Sequence, residues 1–424
     1  MAKPLTIGIA GLGNVGASVV RLLQQNSDVV TARAGRSLNI VAIAARDQKR
    51  DRGVDLKSYR WGSDPDIDVV VELMGGASGA AYDLVTTALK NGKTVVTANK
   101  ALLATKGRDV LAALQSGKGG HIAFEAAVAG GIPVIKGLRE GLAANKIKGV
   151  YGILNGTCNF ILSEMTKTGR AFADVLAEAQ KLGYAEADPT FDVGGMDAAH
   201  KLSILSGLAF GCVPDVTPVD VRGIQDISAV DISSADELGC RIKLLGIARA
   251  SSDGIQQSVE PCLVPKESPI AHVAGPLNAV YIDGNYSGKM LFMGAGAGGD
   301  ATASAVVADL IDIARGHVLP LMGISNPSVL KAADLSARVS SFYLRLTVRD
   351  QPGVIADVSA ILRDHAVSLE SVLQRGRDPG HPVTVILTTH ETRQSDMLIA
   401  AKKIAALASV LEKPHLMRIE DFAS

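Results

Sequence analysis

The chain has 424 residues. At about 100–200 residues per domain that is too many for one core, and three domains are expected. Its 43 basic and 43 acidic side chains cancel and 47% of its residues are apolar, the balance of a globular protein with no electrostatic reason to bind nucleic acid or an anionic membrane. The longest apolar runs, such as Val69–Val71, are strand-sized, far below the ~18 residues of a membrane span, and the start Met1-Ala2-Lys3-Pro4 leaves no room for a signal peptide, so a cytoplasmic protein is expected. Cys158, Cys212, Cys240 and Cys262 show no Cys-x-x-Cys spacing, which points to reduced structural thiols rather than a thiolate metal site or a disulfide framework.

In chain order, short β-branched runs at Leu5–Ala10, Ile40–Ala45, Val69–Leu73, Thr94–Thr97 and His121–Glu125 read as strands. They alternate with helical patterns at Val15–Asn26, Tyr82–Asn91 and Lys106–Ser116, the last two closed by Gly92 and Gly117. This predicts a Rossmann-type, doubly wound parallel α/β sheet over residues 1–132. From Pro133 to about residue 300 longer helices mix with strands at Ile147–Leu154, Gln257–Val264 and Ala279–Asp283, an α+β catalytic and dimerisation domain. The run Gly294-Ala295-Gly296-Ala297-Gly298-Gly299 leads into a small-residue helix, Ala301–Arg315, expected to return to the first domain. The segment 301–336 thus serves as return and linker. Residues 337–424 read as βαββαβ, a ferredoxin-like unit: strand Phe342–Val348, helix Val354–His365, strands Val367–Arg375 and Pro382–Thr388, helix Asp396–Leu407 and a strand near Leu411–Arg418.

The turn Gly11-Leu12-Gly13-Asn14-Val15-Gly16 follows a predicted strand and opens a predicted helix, the context that gives Gly-x-Gly-x-x-Gly its meaning as a dinucleotide pyrophosphate site. The second strand runs into Ala45-Arg46-Asp47. Arg46, helped by Lys49, Arg50 or Lys57, suits the 2′-phosphate of NADP, while Asp47 keeps NAD open; the reading leans towards NADP. Gly75, after the third strand, is counted with the cofactor residues.

Between Gly183 and Lys201 lie Glu186, Asp188, Asp192 and Asp197. Pro189 and Gly194-Gly195 break the first part into a loop, and Met196–Leu205 reads as a helix that sets Asp197 and Lys201 four apart on one face. Carboxylates facing a lysine could hold a substrate ammonium and offer a proton to a carbonyl oxygen as hydride arrives, although an exposed acidic loop with an ordinary helical salt bridge has the same pattern. Lys100, in Thr97-Ala98-Asn99-Lys100, follows a strand end, the edge where open α/β sheets bind ligands.

These segments, with Phe124-Glu125-Ala126-Ala127-Val128-Ala129-Gly130-Gly131-Ile132-Pro133, Asn155-Gly156-Thr157-Cys158-Asn159 and the glycine run before residue 300, resemble homoserine dehydrogenase in its monofunctional form with a C-terminal ACT domain, over essentially the whole chain. The resemblance implies NAD(P)H-dependent, reversible reduction of L-aspartate 4-semialdehyde to L-homoserine, on the route to threonine, methionine and isoleucine. By the same resemblance Glu186 holds the substrate amino group with Asp192 and Thr157 nearby, Asp197 orients Lys201, Lys201 and Lys100 supply or position the proton, and Gly298 touches the cofactor. Glu125 with the carbonyls of Val128, Gly130 and Ile132 is similar to the family's monovalent cation site, usually sodium. The ACT unit, entered by the turn Asp350-Gln351-Pro352-Gly353, implies a threonine effector, and the second domain and the ACT modules imply a homodimer or homotetramer.

Two other readings stay open at this point. Cys158 could be the thiol nucleophile of a phosphorylating semialdehyde dehydrogenase, or the chain could bind nucleotide and amino acid as a regulator without turnover. His200, beside Lys201, reads as a packing residue, and the remaining histidines show no zinc spacing.

Overall fold

The computed structural model describes residues 2–45, 62–117, 119–374 and 381–422. Strands β1 (Leu5–Ala10), β2 (Leu38–Ala44), β3 (Val69–Glu72), β4 (Thr94–Thr97) and β5 (Ile122–Ala123) form a parallel sheet in the order β2-β1-β3-β4-β5. Every residue of β3 is buried, as a β-branched strand covered on both faces requires. Strand order reverses between β1 and β3, so the loops that follow them, Gly11–Gly13 and Met74–Gly76, flank the switch point where such sheets bind ligands.

Two elements of this sheet depart from the periodicity. The helix expected from Lys106 begins at Lys100, because the Asn99 side chain accepts the Leu102 N–H and caps it; Lys106 (φ −125°) marks a kink inside it. The fifth strand ends at Ala123 and Glu125–Ala127 winds into a 3₁₀ turn, its first N–H bonded to the Asp309 carboxylate at 2.9 Å instead of to a neighbouring strand. The glycine-rich run divides at Gly296. Gly294 and Ala295 end a strand, and the helix Gly299–Ala314 returns to the first sheet, where Val306 and Leu310 share a core with Ile7, Val19 and Val71.

The second sheet comprises β6 (Ile147–Ile153), β7 (Asp220–Val221), β8 (Cys240–Ser251), β9 (Gly254–Pro265), β10 (Leu277–Gly284) and β11 (Gly288–Ala295). The C-terminal module adds β12 (Val339–Arg349), β13 (Leu369–Gln374), β14 (Pro382–Thr389), β15 (Thr392–Arg393) and β16 (His415–Ile419). The two are continuous, in the order β11-β10-β6-β8-β9-β16-β12-β14-β13. The link is a short parallel pairing of β9 with β16, Arg418 opposite Cys262 and Ile419 opposite Leu263, extended by the Glu420 N–H donating to the Leu263 carbonyl at 2.8 Å.

That link is charged and buried. Glu260, 1% exposed, lies 3.1 Å from Arg338 Nη2 and 3.1 Å from Arg418 Nε and also pairs with Arg222. Burial alone would push its carboxyl up, but the three guanidinium groups outweigh this and hold it at about 2. Glu420 joins Arg418 to Arg249, and buried Asp231 accepts from Tyr343 Oη at 2.9 Å and Arg345 Nε at 2.8 Å. Among the described residues no helix is long and apolar enough to cross a membrane.

Candidate active site

At the switch point the backbone leaves room where a side chain would intrude. Gly11 sits at φ +103°, and a Cβ there would lie 2.6 Å from the Leu73 backbone; one on Gly16 would lie 2.1 Å from the Gly11 carbonyl. These two glycines let turn, strand and helix close on one another, while Gly13, Gly75 and Gly298 face open space. The helix Asn14–Gln25 has no side-chain cap at Gly13, so its first N–H groups are free to meet an anion. These features fit a dinucleotide whose pyrophosphate rests on Gly11–Gly16. Arg46 and Lys57, expected at the ribose, lie outside the described residues, as do Asp47, Lys49 and Arg50.

A cavity of about 520 Å³ opens beside this crevice, lined by residues including Lys100, Thr157, Glu186, Asp192, Lys201 and Gly298. Its floor is the helix Met196–Phe210, entered through Gly195 at φ +90°. Asp197 Oδ2 accepts from Lys201 Nζ at 2.7 Å, and Asp197 Oδ1 lies 3.1 Å from Lys100 Nζ. Lys201 Nζ also donates to the Leu154 carbonyl at 2.7 Å. Asp197 and Lys201 are 4% and 8% exposed, so this pair is no surface salt bridge. Burial opposes ionisation of Asp197, yet the two ammonium groups hold its carboxyl well below the usual carboxylate range. Asp192 behaves oppositely: burial, then the charge of Asp197, pushes its carboxyl up, leaving a carboxylate that gains from a cation.

Asn155, the Leu154 carbonyl and Asn278 belong to this site and were not singled out from the sequence. Asn155 caps the helix Gly156–Thr168 through the Cys158 N–H and donates to Asp192 at 2.8 Å and Asp197 at 2.9 Å, so one amide spaces both acids. The Leu154 carbonyl accepts from Lys201 and, at 3.0 Å, from Asn278 Nδ2. No sequence signal marks a main-chain carbonyl, whereas Asn155 stands in a stretch whose residue types were already conspicuous. Thr157 Oγ1 donates to the Tyr184 carbonyl at 2.6 Å, and Glu186 is exposed at the cavity mouth.

Cys158 is fully buried beneath Asp192, with its Sγ donating to the Asp192 carbonyl at 3.2 Å; burial and the two nearby acids push its thiol well above the ordinary value, the reverse of an activated nucleophile. Cys158→Ser should therefore keep kcat within about threefold of the parent, measured by initial rates. His200, 7% exposed, packs edge-on against Phe191 with ring centroids 5.3 Å apart, and burial keeps it neutral by pushing its pKa down.

Glu125, 2% exposed, accepts the Ile135 and Lys136 N–H groups at 2.9 and 2.8 Å; burial, then Asp309, pushes its carboxyl up to about 7. A buried carboxylate short of positive charge fits a cation, and the turn beside it contains Ala129 at φ +52°. Glu140, Asp312 and His317 also bring potential ligand atoms within 4.8 Å of one another. Pairing of those acids with Arg139, Lys136 and Arg315 already supplies their positive charge, and no metal is assigned there.

Comparison with known proteins matches residues 133–311 to the family described as homoserine dehydrogenase, 11–125 to the homoserine dehydrogenase NAD-binding domain and 342–409 to the ACT domain. The homoserine dehydrogenase of Pseudomonas aeruginosa is 45% identical over 99% of both chains. The chain belongs to the homoserine dehydrogenase family. The crystal structure of a homoserine dehydrogenase from Thiobacillus denitrificans, also 45% identical, superposes with a TM-score of 0.93 over 99% of both chains. A hyperthermophilic archaeal homoserine dehydrogenase in complex with NADPH, 26% identical, covers 73% of this chain and 97% of its own with a TM-score of 0.62. This member is accordingly a nicotinamide-dependent oxidoreductase of the CH–OH group. It interconverts L-homoserine and L-aspartate 4-semialdehyde, and it carries an ACT domain after the catalytic sheet.

Proposed function

We propose that Lys201 and Lys100 handle the proton of this reaction, and that Glu186, Asp192 and Thr157 receive the amino acid end of the substrate. The observation that carries the reading is the single Asp197 carboxylate shared by two ammonium groups at one wall of the cavity. When bound, the nicotinamide ring supplies or accepts the hydride. The side chains do the rest. Asp192 and exposed Glu186 neutralise the substrate ammonium, and the raised Asp192 carboxyl ionises more readily once that charge arrives. A lysine Nζ–H faces the aldehyde oxygen and passes its proton as that oxygen becomes an alkoxide; in the oxidative direction the neutral amine takes the hydroxyl proton. Asp197 orients both donors, one at each of its carboxylate oxygens. Initial rates with homoserine against NADP and NAD, with and without threonine, test the reading as a whole.

Glu186 contributes binding more than chemistry. Glu186→Gln should raise the homoserine KM about tenfold with kcat nearly unchanged, as loss of one charge-assisted contact at the cavity mouth predicts. For the coenzyme we favour NADP, on Arg46 and Lys57 in the sequence. Glu125 with the carbonyls of Val128, Gly130 and Ile132 would hold a sodium ion, whose charge would offset the buried Glu125–Asp309 pair. Threonine would bind in the ACT pocket lined by Arg349, Asp350, Gln351, Gly353, Val354 and Gln374; equilibrium dialysis with labelled threonine decides this, and absence of saturable binding removes the effector role. The reading places the protein in the cytoplasm as a homodimer through the second sheet, or a tetramer through its ACT modules.

A further inference from the structure

Glu72, the last residue of β3, is 0% exposed and has no cationic partner among its described contacts. Its Oε1 accepts the N–H groups of Met74 at 2.7 Å and Gly75 at 3.0 Å, and its Oε2 accepts Thr97 Oγ1–H at 2.7 Å. Thr97 Oγ1 in turn accepts the Asn99 N–H at 3.0 Å. Asn99 closes the ring: its Nδ2 donates to the Gly76 carbonyl at 2.7 Å, and its Oδ1 accepts the Leu102 N–H, capping the helix whose first residue is Lys100. One ring of hydrogen bonds therefore shapes the loop Met74–Gly76 on the cofactor side and fixes the helix start that aims Lys100 at Asp197. A fully buried carboxylate is costly to keep unless each oxygen is satisfied, and here the satisfying groups are those that bound the reaction site on two sides.

We infer that Glu72 and Thr97 are positioning residues that couple the cofactor-facing loop to Lys100. Glu72 works through two separable arms. The Oε1 arm holds the loop and with it cofactor affinity; the Oε2 arm, through the Thr97 hydroxyl, holds the cap and with it the proton-handling lysine. The inference rests on the reading of Lys100 above.

The arms are separated by reading NADPH affinity from fluorescence titration and hydride transfer from single-turnover absorbance. Thr97→Val cuts only the second arm, so the Kd for NADPH stays within about twofold while the single-turnover rate falls about tenfold, and Thr97→Ser restores it. Glu72→Gln keeps a carbonyl oxygen for Met74 and Gly75 but turns an amide N–H towards the Thr97 oxygen, so the hydroxyl loses its acceptor while a weaker, reversed link remains, and the rate falls part of the way to that of Thr97→Val. Glu72→Ala removes both arms and raises the Kd about tenfold as well. If Glu72→Ala does not fold, Glu72→Gln and Thr97→Val still decide the matter. Wild-type rates in both overturn the inference, as does a slow Thr97→Val that Thr97→Ser fails to rescue. Lys100→Ala in the same assay separates the two levels. A slow Lys100→Ala with a fast Thr97→Val defeats the coupling alone; a fast Lys100→Ala defeats the reading of Lys100 and the inference together.

Discussion

Lys201→Ala should lower kcat by about 10²–10⁴, the range for losing a positioned proton donor, with Lys100→Ala falling in the same range. Neither should change NADPH affinity by more than a few-fold. The two should not add: both ammonium groups answer to Asp197, so removing one leaves the other free to swing onto the vacant carboxylate oxygen, and the double variant should be little slower than the worse single. Initial rates in both directions, with melting curves for each variant, check this. The melting curves matter because Lys201→Ala also removes a donor to the Leu154 carbonyl. Two single variants with parental rates would show that the proton comes from elsewhere.

Glu260→Ala should be the most destabilising single substitution outside the hydrophobic core, by about 3–5 kcal/mol, because it leaves buried Arg338 without a carboxylate and Arg418 with Glu420 alone. The loss belongs to the under-compensated guanidinium groups rather than to the missing attraction. Pairing Glu260→Leu with Arg418→Met should therefore recover much of it, although Arg338 stays charged. Because Glu260 is ionised well below its unfolded value, its contribution is present at neutral pH and disappears as pH falls from the ordinary carboxylate range through about 2. Urea denaturation at neutral and acidic pH measures both effects; equal midpoints for parent and Glu260→Ala would refute the account.

The first sheet was legible because its strands are continuous β-branched runs and its helices end at Gly92 and Gly117, so period and punctuation agree. The active-site helix was legible for the same reason, and the spacing of Asp197 and Lys201 was enough to place them on one face. β8 and β11 were not. Arg241, Lys243 and Arg249 interrupt the apolar pattern of β8; Asp236 stands only five residues from Arg241, but Asn159 and Glu420, the partners of Lys243 and Arg249, are 84 and 171 residues away, beyond any local window. β11 is an exposed edge whose end dissolves into the glycine run. Asn155 and Glu72 were missed because an uncharged amide and a strand-end acid acquire their roles only from groups brought to them by folding.

The parallel pairing of β9 with β16 also orders the assembly of the molecule in time. Ribosomes deliver Cys262 and Leu263 long before Arg418 and Ile419, and the stretch of β9 beyond its pairing with β7 must wait with its edge open and Glu260 without two of its three cations. The nascent catalytic sheet is thus exposed to pairing with neighbouring chains until the later strand arrives. Closure of that edge joins sequence-distant strands and so falls late and slow in folding, which makes the ACT module a completing part of the catalytic sheet.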